Sequence, residues 1–265
     1  MQRICKSLRI KERQLHTKRR KPRKRYPALK YEVICEEPRV LRLMNGTLLR
    51  QAIPGVGLYL AKSGRVYSLT RYGLRQLYVN YWKKNTYGKR IMNGRGCGQG
   101  QSYPYVISQG VTYRMHQLMA KAWLGGIAEG EVPDHINGDI DNFSYANLRV
   151  VSREENDRCG GILKRLRRLA AEQNNPALDP LQWRQEDLLE LFRRLQGCDL
   201  DTAMPKEIER YRTLVTLRHA SVQLHDPSLN PDNMEPERRE MILSKYRVED
   251  PAKIIDDDFK HHREF

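Results

Sequence analysis

The spacing of apolar residues changes period twice within one short stretch, and few folds accommodate that. Leu118, Met119, Ala122 and Trp123 recur at helical spacing, which predicts a helix over 116–124 with one buried face. A loop-rich segment, residues 125–151, follows and ends in the short strand Leu148-Arg149-Val150-Val151. Ser152-Arg153-Glu154-Glu155 then has the form of a capping box, in which Ser and Glu satisfy each other's free amides at a helix start. The order predicts a compact ββα unit, and coiled-coil and collagen-like architectures are excluded.

The flanks differ from this centre and from each other. Residues 31–124 read as β-rich: Gly57 to Leu60, then Lys62-Ser63-Gly64, then Arg65 to Leu69 predict strand, tight turn, strand. Tyr103–Ser108 and Val111–Met115 predict two more strands around Gln109-Gly110. The Gly-rich run 93–101 lacks the Gly-Lys-Ser/Thr ending of a phosphate-binding loop and reads as a hairpin tip. Downstream, helices are predicted over Ile162–Glu172, Leu181–Gln196, Pro205–Val222 and Glu237–Tyr246, with Asp179-Pro180 opening the second and Gly197 stopping it. No internal repeat is evident. The fold class expected is α+β, with a basic arm over 1–30, a β-rich DNA-binding module over 31–112, the ββα core over 113–160 and a helical region over 161–265.

Charge narrows the partner. Lys and Arg total 48 against 32 Asp and Glu, a net +16. Such an excess suits a polyanion, because counterions released from phosphates drive that binding. Residues 1–30 hold 13 basic residues and one acid, Glu12, whereas residues 226–265 hold 7 basic and 11 acidic ones. The run Lys18–Arg25 repels itself, reads as a flexible arm, and would track phosphates or order on binding. No uncharged run reaches the roughly 18 apolar residues of a membrane span, and no secretory signal is expected. Five cysteines at wide spacings contain no CxxC, so reduced thiols in a cytosol are expected rather than a cysteine zinc site. Tyr67, Arg71, Tyr72, Arg75, Tyr78, Tyr81 and Trp82 interleave aromatic and basic groups, which suits a nucleic-acid face and a half-buried β surface equally.

The chemistry concentrates in Pro133-Asp134-His135-Ile136-Asn137-Gly138-Asp139-Ile140-Asp141-Asn142, then Asn147-Leu148-Arg149-Val150-Val151, then Glu154-Glu155-Asn156. A neutral imidazole can take a proton from water near pH 7. A carboxylate and an amide carbonyl are hard ligands for Mg²⁺ or Mn²⁺. Adjacent side chains on a strand point oppositely, so Asp134 and His135 could face a metal and a water respectively. Taken singly, Asn and Asp in such a segment are turn residues more often than catalysts.

This ordered set, with Tyr113–Trp123 upstream, resembles the HNH endonuclease family in its phage and intron-encoded branch. The resemblance covers residues 113–158 strongly, and Gly57–Leu69 looks like the small β module that often precedes such domains. It implies a ββα-metal nuclease core in which His135 is the general base and Asp134 and Asn156 hold Mg²⁺ or Mn²⁺. Asn147 would orient His135, and Asn142 would brace the loop. Asp141 departs from the family, which often has a second Asn there. Contacts to DNA are expected from Arg149, Arg158, Lys164, Arg165, Arg167 and Arg168. The implied activity is metal-dependent DNA hydrolysis, by nicking, in a homing-type enzyme of a phage or mobile element in a bacterial cytoplasm. The alternative is a nucleic-acid-binding protein that keeps the scaffold without cutting.

Overall fold

A computed structural model describes residues 28–36, 39–81, 83–84, 90–92, 95–96 and 103–245, with backbone alone for 83–96 and Lys245. All but the last three residues of the basic arm, most of the Gly-rich run, Cys5, Cys97, Trp82 and the chain after Lys245 lie outside the described residues.

Six strands come first: β1 (Tyr31–Glu36), β2 (Arg39–Leu43), β3 (Leu48–Ile53), β4 (Leu58–Leu60), β5 (Val66–Thr70) and β6 (Gly73–Gln76). Each pairs antiparallel with the next, so the sheet is a meander in sequence order. Alternation along β4 sends its side chains to two separate cores. Leu58 and Leu60 join Ala52 and Val66 on one face, and Tyr59 joins Leu41, Leu49, Tyr67 and Leu74 on the other. Three short strands, β7 (Lys83–Lys84), β8 (Arg90–Met92) and β9 (Arg95–Gly96), form a second sheet. A hairpin of β10 (Tyr105–Ser108) and β11 (Val111–Arg114) turns at Gln109-Gly110, both at positive φ.

Helix α1 (Met115–Trp123) lies on the first face of the meander. Met115, Leu118, Met119 and Ala122 share a core with Leu58, Leu60, Phe143 and Leu148, and Trp123 Nε1 donates to the Leu60 carbonyl at 2.9 Å. Strands β12 (Glu131–His135) and β13 (Leu148–Ser152) pair antiparallel, with Asp134 opposite Arg149 and His135 opposite Leu148. Ser152 caps α2 (Arg153–Glu172) by accepting from the Glu155 amide at 3.1 Å. The helix predicted over 162–172 is thus the continuation of the capped one, running unbroken through Gly160-Gly161.

Three helices follow: α3 (Gln185–Arg194), α4 (Leu200–Gln223) and α5 (Pro236–Lys245). Two boundaries differ from the sequence expectation. Asp179-Pro180 opens a 3-10 turn, and α3 begins only at Gln185. Helix α4 begins five residues before Pro205, because the Asp199 carboxylate accepts from the amides of Asp201 and Thr202. Ile162, Leu166, Leu188, Phe192, Met204 and Ile208 bury the three helices α2, α3 and α4 against one another, and Ile136 joins them from the ββα loop. Among the described residues no helix is long and apolar enough to cross a membrane.

The helical region does hold a repeat. After α2, Asn174 sits at φ +46°, and Asn175-Pro176 and Asp179-Pro180 open two successive 3-10 turns before α3. After α4, His225 sits at φ +52°, and Asp226-Pro227 and Asn230-Pro231 do the same before α5. The caps match in backbone angle: Asn175 at φ −117°, ψ 95° and Asp226 at φ −115°, ψ 99°. Every matched position lies 51 residues from its counterpart, and Leu166/Leu217, Leu178/Leu229 and Leu191/Ile242 are all buried. The repeat escapes a sequence reading because its two copies share turn caps and buried positions while their surfaces differ.

Candidate active site

The β12–β13 hairpin and the stretch of α2 from Asn156 to Arg167 enclose a cleft of about 210 Å³. Asp134, His135 and Gly138 supply one wall, and Asn156, Gly160, Leu163, Lys164 and Arg167 supply the other. These helix residues fall at intervals of three and four, so one stripe of α2 faces the hairpin. Tyr103, Pro133, Ile140 and Asp157 complete the lining.

His135 is 5% exposed, and its Nε2 has no hydrogen-bond partner among the described residues. Burial pushes the imidazole down to about 4, against the opposing pull of Asp139 and Asp141, so the ring is neutral near pH 7. Two rings hold it: Tyr103 stacks at 5.9 Å between centroids, and His116 meets it edge-on at 5.5 Å. His116 is itself buried, is pushed down to about 3 by desolvation and then by His135, and lies 4.0 Å from Tyr103.

Asp134 faces Arg149 across the strand pair. Arg149 Nε donates to Asp134 Oδ2 at 3.0 Å, and Nη2 lies at the same distance. Burial raises the Asp134 carboxyl above its ordinary value, and Arg149 pulls it back. Both contacts fall on Oδ2 and leave Oδ1 clear of that guanidinium. Arg149 also donates through Nη1 to Glu155 at 2.9 Å and lies over the Phe192 ring at 5.0 Å. The site is therefore tied to α3.

The loop between the strands is built from side chain–backbone bonds. Asn147 is fully buried; its Oδ1 accepts from the Asn137 amide at 3.2 Å and its Nδ2 donates to the Asn142 carbonyl at 2.8 Å. Its backbone carbonyl accepts from the Ile136 amide at 2.9 Å. None of these bonds reaches the His135 ring; they hold the backbone of the loop that follows it. Asn142 Oδ1 accepts from the Ser144 hydroxyl at 2.8 Å. Gly138 sits at φ +68°, and a Cβ there would meet Arg167 Nη2 at 2.6 Å.

Five of the residues singled out in the sequence thus line one cleft: Asp134, His135, Asn156, Lys164 and Arg167. Asn142 and Asn147 lie in the loop behind it. The other basic residues are engaged elsewhere: Arg158 donates to the Phe192 carbonyl, Arg165 pairs with Asp201, and Arg168 pairs with Glu172. Arg167 donates to the Asn137 carbonyl at 3.0 Å at the cleft wall. Tyr103 carries no sequence signal of a site role, because only the fold brings the residues just before β10 to His135. Among the described residues no group of three or more His, Cys, Asp or Glu is placed to hold a metal ion. A metal held here would have Asp134 and Asn156 as its protein ligands. That pair fits a hard cation that keeps several waters or phosphate oxygens.

Residues 113–158 match the HNH endonuclease family. One solved structure, of DNA binding and cleavage by the HNH homing endonuclease I-HmuI, is similar at 25% identity and a TM-score of 0.28. The similarity covers 46% of this chain and 66% of that one. No curated protein matches the chain.

Proposed function

We propose that the chain is a divalent-metal-dependent DNA endonuclease whose general base is His135. The observation that carries this reading is the convergence of Asp134, His135 and Asn156 in one cleft, within the segment that matches the HNH endonuclease family. An unpartnered Nε2 on a neutral imidazole can accept a proton from an attacking water. Tyr103 and His116 fix the ring plane, and a fixed base loses little entropy in reaching the reactive geometry. Asp134 and Asn156 would hold Mg²⁺ or Mn²⁺, which supplies stabilisation of charge on the leaving oxygen. Lys164 and Arg167 put positive charge at the mouth where a phosphodiester enters. One such centre cuts one strand at a time, so nicking is the expected product. The net charge of +16 favours a polyanionic partner, and the match to the HNH endonuclease family favours DNA, with the arm, the β-rich module and α2 adding backbone contacts. A homing-type enzyme of a phage or mobile element, acting in its host's cytoplasm, accords with this reading.

Conversion of supercoiled plasmid tests it, with wild type and Asp134→Ala each assayed in Mg²⁺, Mn²⁺ and EDTA on DNA that includes the source genome. Open-circle product that needs metal and disappears in the variant is expected. Cleavage that persists in EDTA would remove the metal from the account. Tight DNA binding with no product in any condition would replace the nuclease with a binding protein.

A further inference from the structure

The two helical units differ in what covers them. In the first, α4 seats on α2 and α3: Met204 and Ile208 enter their core, and Tyr211 stacks on Trp183 with centroids 3.4 Å apart. Polar contacts frame that seat. Arg210 donates to Glu190 at 2.9 Å, Arg212 to Gln173 at 3.1 Å, and Arg194 to Glu207 at 2.7 Å. In the second unit, the positions equivalent to Trp183, Glu190 and Gln173 are Met234, Met241 and Leu224. Leu224 is 45% exposed, Met241 57%, and the neighbouring Val222 74%. At two of these three positions, Leu224 and Met241, the second unit therefore turns large apolar side chains to solvent, while Met234 packs partly buried on its own unit's core. Single exposed apolar residues are ordinary, but a set at the receiving positions of a repeat marks a seat.

The sequence after α5 supplies the occupant in register. Four residues separate the end of α3 from the capping Asp199, and four separate the end of α5 from Asp250. Pro251 then corresponds in sequence to Leu200, the first residue of α4, a position at which the missing N–H of a proline costs nothing. Ile255 and Phe259 fall at the positions of the seated Met204 and Ile208, and Ile254 at that of Ala203. The Arg194–Glu207 pair is matched in charge by Lys245 and Asp258. We propose that the face of α4 and α5 around Leu224 and Met241 is the docking surface for residues 250–262 of this same chain. They seat there as the leading helix of a third, partial unit. This surface is independent of the nuclease cleft and of the reading given to it.

Hydrogen exchange of the full-length chain, followed by mass spectrometry, tests this. Wild type is compared with Phe259→Asp, which removes the seated side chain, and Met241→Asp, which charges the seat at an exposed position. Peptides from α2 report whether each variant is folded. Amides of 254–262 are expected to exchange at least about tenfold more slowly in wild type than in either variant, at every protein concentration. Exchange of 254–262 at the free-chain rate in wild type overturns the proposal. So does protection unaffected by Met241→Asp. Protection that grows with protein concentration also overturns it, since a second copy of the chain would then be the occupant.

Discussion

The β12–β13 hairpin and the helical region behind it are held together by opposite means. The loop between the two strands turns on single polar bonds: Asn147 to Asn137 and Asn142, Asn142 to Ser144, Arg167 to Asn137. Each needs one donor or acceptor in one place, so residue identity is constrained where a side chain supplies it, at Asn142, Ser144, Asn147 and Arg167. The helices are held by burial of Ile162, Leu166, Leu188, Phe192 and their neighbours, with ion pairs such as Arg218–Asp187 across the top. There any apolar side chain of suitable volume serves. The lesson is that the hairpin stores its information in particular residues, while the helical repeat stores its information in burial and in two pairs of Asx-Pro caps.

The largest effect should come from breaking the helical side. Phe192→Ala removes a buried ring and should cost about 3–5 kcal/mol of stability in a urea titration. Because Arg149 lies over that ring and pairs with Asp134, plasmid cleavage should fall in the fraction that stays folded. Undiminished cleavage per folded molecule would show that the two regions are energetically separate. On the hairpin side, Asn147→Ala leaves a buried amide and a half-buried carbonyl unpaired and should cost about 1–3 kcal/mol. Measured by the same titration, a neutral result would mean that water replaces those bonds.

The hairpin's position was legible because its chemistry is spelled in order. Asp134-His135, Asn147 and Asn156 fix spacing, and the Ser152 box fixes where α2 starts. The ring cluster was not legible, since Tyr103 reaches His135 only through the β10–β11 hairpin and α1. The pairing of Arg149 with Asp134 depends on strand register, which the sequence does not specify for so short a pair. The repeat was hidden for a third reason. Leu166 and Leu217, or Leu191 and Ile242, are common core residues, and only their constant offset sets them apart.

Acid should separate the regions further. His116 and His135 are pushed down to about 3 and about 4, from an ordinary value of 6.5. Between pH 6.5 and about 4 the unfolded chain binds protons that the fold refuses, so stability is full above 6.5 and declines as pH falls. The slope should approach about 1.4 kcal/mol per pH unit for each imidazole, and His135→Ala should flatten it. Urea midpoints across this range check the sign; a midpoint that rises on acidification would contradict it. The smallest effect concerns arginines of α2. Arg168, exposed and paired with Glu172, should contribute less than about 0.5 kcal/mol to stability. Arg167→Ala should lower the slope of DNA affinity against salt by about 1 if the cleft receives a phosphate.

The central claim is that a neutral His135 takes the proton from the attacking water. Single-turnover cleavage by wild type and His135→Ala, measured across pH with and without added imidazole, tests it most directly. The account predicts a loss of at least about a hundredfold in the variant. It also predicts partial restoration by imidazole that follows the neutral fraction of the added base. A variant that cuts at the wild-type rate with an unchanged pH profile would contradict it.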